Sequence, residues 1–474
     1  MKIRYWGVIV YLALSTVARA TVYPWLEVNR DDLRVIPNAR IEAGFRLDLI
    51  QNAQRSIDLV TWEQDLGRLG YPVLRELKNA ADRGVRIRFL VSWVGHLVQS
   101  FNAIEPFLNN PPPVVPIEFL VVGGRSMRSK GWGFLDGIHE KLLVVDDRIG
   151  FLTGRGHADQ YLRWLDTGFA FKGPVVAEAK SAFDSLWNTV HQESTWQGIR
   201  KVSASPTPAS PIEVPHLTPV RGNLNQRRRL QDLKDWAARP SATLAGEGMG
   251  NDVQIRFLHF DFIHQMRMLA DRHHISPNRL PYSQRLNELQ DPFVQELVAL
   301  SADPNVTQIQ INTLSVSPHP RLRDALEGAA RRGVDVQILT NGRVAQDRVM
   351  PFSFSFPLGW FVSLPDMIAL LENGVRVFGF AQRSPDAPVY LHRKVAIVGE
   401  SVFLGSHNFN FSSSVESDEM GFEIRSREFA HEVRELFGDS IRRYSEEIRL
   451  EDVTQERKSS RIRVWISSFF KGLY

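Results

Sequence analysis

Cysteine is absent from the 474 residues, which excludes disulfide bonds, thiolate metal sites and cysteine nucleophiles. Long apolar runs are also scarce: beyond residue 20, no stretch approaches the ~20 apolar residues that a membrane-spanning helix needs. Hydrophobic residues make up 43% and charged residues 23% of the chain, which excludes a disordered or fibrous protein. The length exceeds one ordinary domain, and we expect two large domains or about three smaller ones.

Positive charge is concentrated at the two ends of the chain. The formal net charge is +4, yet the first 20 residues hold three cations and no acid, and the last 17 hold four cations and no acid. Residues 21–457 therefore carry a net charge of −3. A body of this sign lacks the broad positive field that drives sequence-independent nucleic-acid binding, which argues against a nucleic-acid partner.

The N-terminus has the pattern of a secretory signal peptide. Lys2 and Arg4 precede the apolar run 7–14, and Ala18-Arg19-Ala20 supplies a small-x-small cleavage site. We therefore expect residues 1–20 to be removed and the protein to be exported, either periplasmic or secreted. A buried hydrophobic helix and an uncleaved membrane anchor are the alternatives.

An internal repeat divides the chain into two halves. The segment 80–91 ends a helical pattern at Gly84 and opens an alternating apolar run, and the segment 329–340 does the same around Gly333. A glycine at this place fits the position after a helix, where a positive φ is needed, and the run after it fits a buried strand. The sequence therefore predicts two copies of one α/β unit.

Alternating helix and strand patterns extend through both copies and predict α/β layers. The predicted strands are Ser56–Thr61 and Gln308–Leu314, and the predicted helices are Arg46–Ala53, Pro72–Ala81, Val294–Ser301 and Leu322–Ala330. A Pro-, Ser- and Thr-rich stretch at 202–220 indicates a linker. The predicted organisation is a signal peptide (1–20), a first domain (21–200), a linker or insertion (201–250), a second domain (251–445) and a basic aromatic tail (446–474).

Each copy carries a histidine and a lysine two residues apart. His139 and Lys141 lie in the first copy, and His392 and Lys394 in the second. Residues i and i+2 of a strand share a face, so each pair presents an imidazole and an ammonium together. A single pair is explained by a solvated strand, but two pairs at matching places in a duplicated unit favour a functional role.

A carboxylate follows each histidine by 27 residues, Asp166 in the first copy and Glu419 in the second. A carboxylate that accepts the Nδ1 proton fixes the imidazole tautomer and leaves Nε2 free to react. Two such histidines supply a nucleophile and a general acid, while the lysines and Asn408 supply donors to an anion. This set suits displacement at the phosphorus of a phosphodiester, with no metal and no cofactor required.

These residues resemble the phospholipase D superfamily, in which each half carries His-x-Lys-x4-Asp. His139, Lys141 and Asp146 match the motif fully, and the resemblance extends over about residues 40 to 200 and 290 to 445. The segments after the motifs are similar to those of bacterial cardiolipin synthases: Thr153-Gly-Arg-Gly156, Trp164-Leu-Asp166, Gly405-Ser-His-Asn408 and Asp418-Glu419-Met-Gly-Phe.

The resemblance implies two pseudo-twofold-related α-β-α sandwich domains that share one active site. It implies that His139 attacks phosphorus to form a phosphohistidine and that His392 protonates the leaving alcohol. The other implied roles are phosphate binding (Lys141, Lys394, Asn408, Ser406), orientation of the histidines (Asp166, Glu419) and local structure (Asp146).

Two positions depart from the family pattern. The Asp of the second motif is missing, because Val398-Gly399 stands in its place and the segment is one residue shorter. Since that Asp supports a loop, we expect its loss to affect activity little. Gly156 stands where the family often has Asn.

Two other features have simpler interpretations. His259, His264, His273 and His274 lie near Asp261 and Asp271, but their spacing matches no compact ligand pattern and predicts solvated histidines rather than a metal site. The tail 461–474 mixes basic and aromatic residues, and either caps the body as a helix or lies at a membrane surface.

We therefore expect an exported, monomeric enzyme that hydrolyses or transfers a phosphatidyl group of glycerophospholipids at a membrane surface. A metal-independent endonuclease on the same scaffold is one alternative, and the negative body argues against it. A catalytically degenerate binding protein is the other.

Overall fold

The structure, a computed structural model, describes residues 21–92, 104, 107–108, 112–122, 137–195, 223–241, 252–347, 358–384 and 386–468. The predicted signal peptide, the Pro-rich stretch 202–220 and the last six residues of the tail lie outside the described residues.

The strands alternate with helices in both halves. In chain order they are β1 (Thr21–Val22), β2 (Leu26–Asn29), β3 (Leu33–Ile36), β4 (Ser56–Thr61), β5 (Arg86–Ser92), β6 (Glu118–Val122), β7 (Gly137–Ile138), β8 (Leu142–Val145), β9 (Ile149–Thr153), β10 (Trp164–Leu165), β11 (Gly168–Lys172), β12 (Asp252–Phe260), β13 (Gln308–Asn312), β14 (Asp335–Asn341), β15 (Arg376–Phe380), β16 (Tyr390–Leu391), β17 (Val395–Val398), β18 (Ser401–Gly405), β19 (Ser417–Arg425) and β20 (Ser445–Glu447).

The α-helices of the described residues are α1 (Ala39–Gln51), α2 (Gly70–Asp82), α3 (Val175–Thr195), α4 (Leu224–Ala238), α5 (Phe262–Arg272), α6 (Tyr282–Glu288), α7 (Pro292–Ser301), α8 (Pro320–Arg331), α9 (Arg343–Asp347), α10 (Leu358–Glu372), α11 (Phe411–Val415), α12 (Arg427–Tyr444), α13 (Leu450–Ser459) and α14 (Arg461–Ser468). None of them is long and apolar enough to cross a bilayer.

Two sheets repeat the same topology. The first has seven strands in the order β3-β11-β9-β8-β4-β5-β6, and the second has eleven, among them the stretch β12-β19-β18-β17-β13-β14-β15. The strand pairs in that stretch are parallel or antiparallel as in the first sheet. Gly84 and Gly333 occupy matching turns with φ of +95° and +89°. The predicted pair of related α/β domains is confirmed.

The halves exchange two short strands where they meet. β7 runs parallel to the start of β19, with Ile138 opposite Asp418. β10 runs parallel to β16, with Leu165 opposite Leu391. These two reciprocal pairings give the junction its pseudo-twofold symmetry.

A continuous apolar core joins the halves. Phe169 and Phe171 of β11 pack edge-on against Phe422 of β19, with ring centroids 5.4 Å and 4.7 Å apart. Aromatic pairs of this geometry stabilise the fold beyond the area they bury. The two domains are therefore held together by core packing as well as by strand exchange.

Several elements cross the boundaries that the sequence suggested. β1 and β2 pair with β12 and so belong to the second sheet, although they lie in the range assigned to the first domain. Within the range assigned to a linker, α4 packs Trp236 against Phe45 of α1. In the tail, α13 docks on α10, where Trp360 Nε1 donates to Glu456 Oε2 at 2.9 Å.

Candidate active site

Two imidazoles and two carboxylates form crossed pairs between the halves. His139 Nδ1 lies 3.1 Å and 3.2 Å from the two oxygens of Glu419. His392 Nδ1 lies 2.8 Å from Asp166 Oδ2. Each histidine thus binds the carboxylate of the other copy, so the equal spacing along the chain does not reflect pairing within one copy.

The exchanged strands produce this crossing. His139 follows β7, and its backbone N–H donates to Asp418 of β19 at 3.1 Å, next to Glu419. His392 follows β16, and its backbone N–H donates to Leu165 of β10 at 2.9 Å, next to Asp166. The partner carboxylate is therefore delivered by the strand of the opposite half.

The two lysines bring positive charge into the same interior. Lys141 and Lys394 are buried, and each ammonium donates to the carbonyl of the histidine two residues before it, at 2.7 Å for Lys394. Burial, with repulsion from Lys394, lowers the pKa of Lys141 to about 7. Burial lowers the pKa of Lys394 to about 8. Both repeats thus contribute a cation to one site.

Burial and the lysines keep both imidazoles neutral near neutral pH. Burial and the Lys141 ammonium lower the pKa of His139 to about 4. Burial and the Lys394 ammonium lower the pKa of His392 to about 3. Each neutral ring donates Nδ1–H to its carboxylate, which leaves the Nε2 lone pair available to a ligand.

Both carboxylates remain ionised. Burial alone would raise the pKa of Asp166, but the Lys394 ammonium and the hydrogen bond from His392 hold it at about 2. Burial opposes ionisation of Glu419 as well, and its interaction with His139 keeps its pKa at about 2. The two acids can therefore stabilise positive charge that develops on either imidazole.

Ser406 and Asn408 differ in their surroundings. The Ser406 hydroxyl is fully buried and donates to Glu419 Oε2, while it accepts from the backbone N–H of Met420 at 3.0 Å. The Ser406 hydroxyl thus contacts Glu419, and its expected role in substrate binding stays a prediction. Asn408 is buried, and its Oδ1 has no hydrogen-bond partner in the described residues.

Asp146 supports a turn rather than the reacting centre. Its carboxylate accepts from the backbone N–H groups of Gln54, Arg55 and Ser56 at 2.9, 2.6 and 3.0 Å, and its φ is +57°. At the matching turn of the second half Gly399 has a φ of +56°. Glycine adopts a positive φ without strain, so the turn of the second half forms without the Asp that is missing from the second motif.

The glycine-rich turn after β9 is shaped by close approaches. A Cβ at Gly154 would lie 2.3 Å from Asp166 Oδ2, and one at Gly156 would lie 3.1 Å from the carbonyl oxygen of Glu63. Between them Arg155 donates to the carbonyl oxygen of Asp166 at 2.8 Å. The turn thus fixes Asp166, and a side chain at position 156 would crowd Glu63 and the Tyr161 ring, whose Cε2 lies 2.9 Å from the Cβ position.

Glu63 is a buried carboxylate that the sequence analysis missed. Burial raises its pKa to about 7, and its interactions with Tyr161, Lys141 and Gln160 oppose that shift. Gln160 Nε2 donates to Glu63 Oε2 at 2.8 Å. An acid placed just beyond the carboxyl end of the fully buried strand β4 was the available signal, because functional side chains gather at such strand ends.

A second cluster of buried polar side chains lies beside the crossed pairs. Glu140, His259 and Asp418 are each buried, and their potential ligand atoms lie within 4.8 Å of one another. The prediction of solvated histidines is therefore wrong for His259, which lies on β12 with its side chain buried. It holds for His264, His273 and His274, which are exposed.

Comparison with known proteins bears out the family resemblance. Residues 301–441 match the family model "Cardiolipin synthase, PLD-like domain". Cardiolipin synthase A of Pseudomonas aeruginosa is 29% identical over 195 residues, covering 37% of this chain and 36% of that protein. A cardiolipin synthase of Staphylococcus aureus is 25% identical over 159 residues, covering 30% of each. The matches span about a third of the length of the curated relatives.

The fold likeness extends over nearly the whole chain. The crystal structure of phosphatidylserine synthase from Haemophilus influenzae superposes with a TM-score of 0.62 at 13% identity, covering 95% of this chain and 97% of that one. The architecture is that of the phospholipase D fold, with two related domains. Residues 301–441 therefore resemble a PLD-like domain of the cardiolipin synthase type, and the chain as a whole shares the fold of the phosphatidylserine synthase.

Proposed function

We propose that the protein cleaves or exchanges a phosphodiester of glycerophospholipids through a phosphohistidine, as a phospholipase D or a phosphatidyltransferase. The observation that carries the proposal is the pair of crossed imidazole–carboxylate contacts, His139 with Glu419 and His392 with Asp166. Two imidazoles with Nε2 free, set beside two buried ammonium groups, supply every group that displacement at an anionic phosphorus requires.

In the proposed first step, His139 Nε2 attacks phosphorus and the bond from phosphorus to the leaving alcohol breaks. His392, protonated at Nε2, gives its proton to the departing oxygen. In the second step neutral His392 removes a proton from water or from an acceptor alcohol, whose oxygen attacks phosphorus and releases His139. Water gives phosphatidic acid, and an alcohol gives a new phosphodiester.

Charge balance explains how His392 becomes an acid in a site that keeps it neutral when empty. With both imidazoles neutral and both lysines protonated, the two lysines balance Asp166 and Glu419. A phosphodiester adds one negative charge, and protonation of one imidazole restores neutrality in an interior where net charge is costly. Substrate and proton therefore enter the site together.

The C-terminal helices support a role at a membrane surface. On α14, Ile462 and Trp465 are 74% and 64% exposed, while the neighbouring Val464 packs on the core. Arg461 and Arg463 lie on the same helix. Exposed aromatic and basic side chains favour the headgroup zone of anionic bilayers, which suits an enzyme whose substrate is a lipid.

We also propose that residues 1–20 are an export signal and that the protein acts outside the cytoplasm. Thr21, which cleavage would leave first, is the first residue of β1 and pairs with His259. Mass spectrometry of the protein from intact cells, with fractionation of periplasm and medium, tests this: a mature N-terminus at Thr21 supports export, and an intact Met1 in the cytoplasm contradicts it.

Incubation of the purified full chain with phosphatidylglycerol or phosphatidylethanolamine, with and without added glycerol, tests the proposed reaction. We expect phosphatidic acid, or an exchanged phosphatidyl product, in EDTA as well as without it. His139→Ala and His392→Ala serve as matched inactive controls. Absence of both products under every condition contradicts the proposal. Cleavage of single-stranded DNA in EDTA would instead support the endonuclease.

A further inference from the structure

Glu140, His259 and Asp418 form a polar cluster on the reverse side of the strands that carry the crossed pairs. Successive side chains of an extended segment point to opposite faces, so Glu140 points away from His139, and Asp418 away from Glu419. His259 reaches the same place from β12, where it lies opposite Met420 of β19. The three side chains are 0%, 1% and 0% exposed.

The cluster is left without polar partners. Five side-chain atoms of the cluster have no hydrogen-bond partner within the described part of the chain. They are both carboxylate oxygens of Glu140, both ring nitrogens of His259 and Oδ1 of Asp418. Asp418 Oδ2 accepts from the backbone N–H of Ile263 at 3.3 Å. Buried polar atoms are otherwise nearly always satisfied, so unsatisfied atoms on three neighbouring side chains point to a missing ligand.

The acids of the cluster have no cationic side chain as a partner among the described residues. Two carboxylates face a histidine, and among the described residues no lysine or arginine forms an ion pair with either of them. A third acid, Asp261, lies nearby, where it caps α5 by accepting from the His264 backbone N–H at 3.2 Å. Buried carboxylates of this kind are usually paired or bound to a metal.

The spacing fits ligands around a cation better than hydrogen bonds. Glu140 Oε1 and His259 Nε2 are 3.9 Å apart, which is too far for a shared proton. Atoms bonded to one metal at about 2.0–2.2 Å lie roughly 3–4 Å from each other. The three potential ligand atoms all fall within 4.8 Å of one another.

The matching position of the second repeat shows that this arrangement is not imposed by the fold. Arg393 stands between His392 and Lys394, as Glu140 stands between His139 and Lys141. It is fully provided with partners: Thr167 Oγ1 at 2.8 Å, Ser440 Oγ at 3.0 Å and the Leu436 carbonyl at 3.2 Å. The first repeat alone places an unpaired acid at this point.

We propose that Glu140, His259 and Asp418 bind one divalent metal cation. One imidazole nitrogen and two carboxylate oxygens suit Zn²⁺ or Mn²⁺, and the doubly positive ion balances the two acids. The site joins the segment that carries His139 and Lys141 to β19, which carries Glu419. The metal is structural: it stabilises the packing of these two segments behind the histidine and its carboxylate, touches no substrate and takes no part in the reaction.

Direct metal measurements on the full chain test the site independently of turnover. After chelation and gel filtration, metal-free protein is mixed with excess Zn²⁺ or Mn²⁺, passed over a desalting column and analysed by mass spectrometry of the elements. We expect about one equivalent retained per chain. We also expect the unfolding temperature to rise by at least about 5 °C with saturating metal. Protein that retains no metal, or whose unfolding temperature does not change, overturns the proposal.

Two histidine variants locate the bound ion. His259→Asn is expected to retain less than a tenth of the metal, whereas His273→Asn, which alters an exposed histidine paired with Glu288, is expected to retain all of it. Equal metal content in both variants overturns the proposal.

A cobalt titration covers the case in which His259→Asn does not fold. The titration is carried out on metal-free His273→Asn protein. It should give visible absorption bands of Co²⁺ coordinated by nitrogen and oxygen, and their absorbance should stop increasing after one equivalent. Absence of such bands contradicts the proposal.

Discussion

His392 and Asp166 lie 226 residues apart in the chain, yet His392 Nδ1 and Asp166 Oδ2 are 2.8 Å apart in the structure. His139 and Glu419 make the reciprocal contact across 280 residues. Neither half of the chain therefore contains both members of either of these two pairs. The candidate active site exists only where the two repeats exchange strands, so its geometry depends on how the halves pack as much as on the motifs themselves.

Replacing Asp166 tests this dependence. Asp166→Asn keeps the shape but presents an amide that no longer favours Nδ1–H on His392, so the tautomer and the stabilisation of a positive ring are both lost. We expect kcat for phosphodiester cleavage to fall by about 10³-fold with little change in KM. Steady-state kinetics of Asp166→Asn and of Glu419→Gln give the measurement.

The matched control is Asp184→Asn on α3, where the carboxylate pairs with Lys180 and Arg88 away from the histidines. We expect it to stay within about twofold of the unsubstituted protein. Wild-type kcat in Asp166→Asn would show that the contact with His392 is not needed for the reaction.

Local patterns predict most of the fold. β4 has the predicted bounds Ser56–Thr61, and β13 ends two residues before the predicted Leu314. α1 begins earlier than predicted because Asn38 caps it by accepting from Arg40 and Ile41, a signal that the apolar pattern does not contain. Periodicity and turn chemistry thus fix the elements, since both are local properties.

The partners within the site are less accessible to such reasoning. The equal spacing of the histidines and carboxylates shows that each copy has one histidine and one carboxylate. It does not show that each histidine contacts the carboxylate of the other copy, because strand exchange depends on packing between distant segments. Glu63 and the cluster around His259 were missed for the same reason: burial decides their chemistry, and no spacing in the sequence reports it.

A substrate whose leaving group needs no protonation distinguishes the nucleophilic histidine from the general acid. The p-nitrophenolate of a p-nitrophenyl phosphodiester leaves phosphorus without help from an acid. His392→Ala should therefore still release about one equivalent of nitrophenol in a burst and accumulate phosphohistidine. His139→Ala should give neither the burst nor the phosphohistidine. Stopped-flow absorbance and mass spectrometry of acid-sensitive phosphopeptides provide the measurement. A burst in His139→Ala and none in His392→Ala would reverse the assignment.

Glu63 should make stability depend on pH. Its folded pKa of about 7 lies above the unfolded value of 4.5, so the carboxyl is protonated in both states below about pH 4.5 and ionised in both above about pH 7. Between these values the unfolded state releases its proton first, and the free energy of unfolding falls as pH rises. The full cost of ionising the buried group is about 3 kcal/mol.

Removing the charge should therefore stabilise the protein only at higher pH. We expect Glu63→Gln to match the unsubstituted chain near pH 4 and to exceed its free energy of unfolding by up to about 3 kcal/mol at pH 8, in urea titrations at both values. The acidic measurement is the control for changes in packing. A difference that is the same at both pH values would show that ionisation of Glu63 has no part in it.

The exposed face of α14 should anchor the protein to anionic lipid. Burying the Ile462 and Trp465 side chains in the headgroup zone is worth about 1.5–3 kcal/mol each, so we expect Ile462→Ser combined with Trp465→Ser to weaken binding to phosphatidylglycerol vesicles by at least about tenfold in sedimentation assays. Leu224→Ser is the matched control, since Leu224 is 73% exposed but lies on α4. Cleavage of the water-soluble p-nitrophenyl ester should be unchanged in both variants, because α14 touches none of the reacting groups. Equal vesicle binding by the double variant and the control would exclude α14 as the membrane contact.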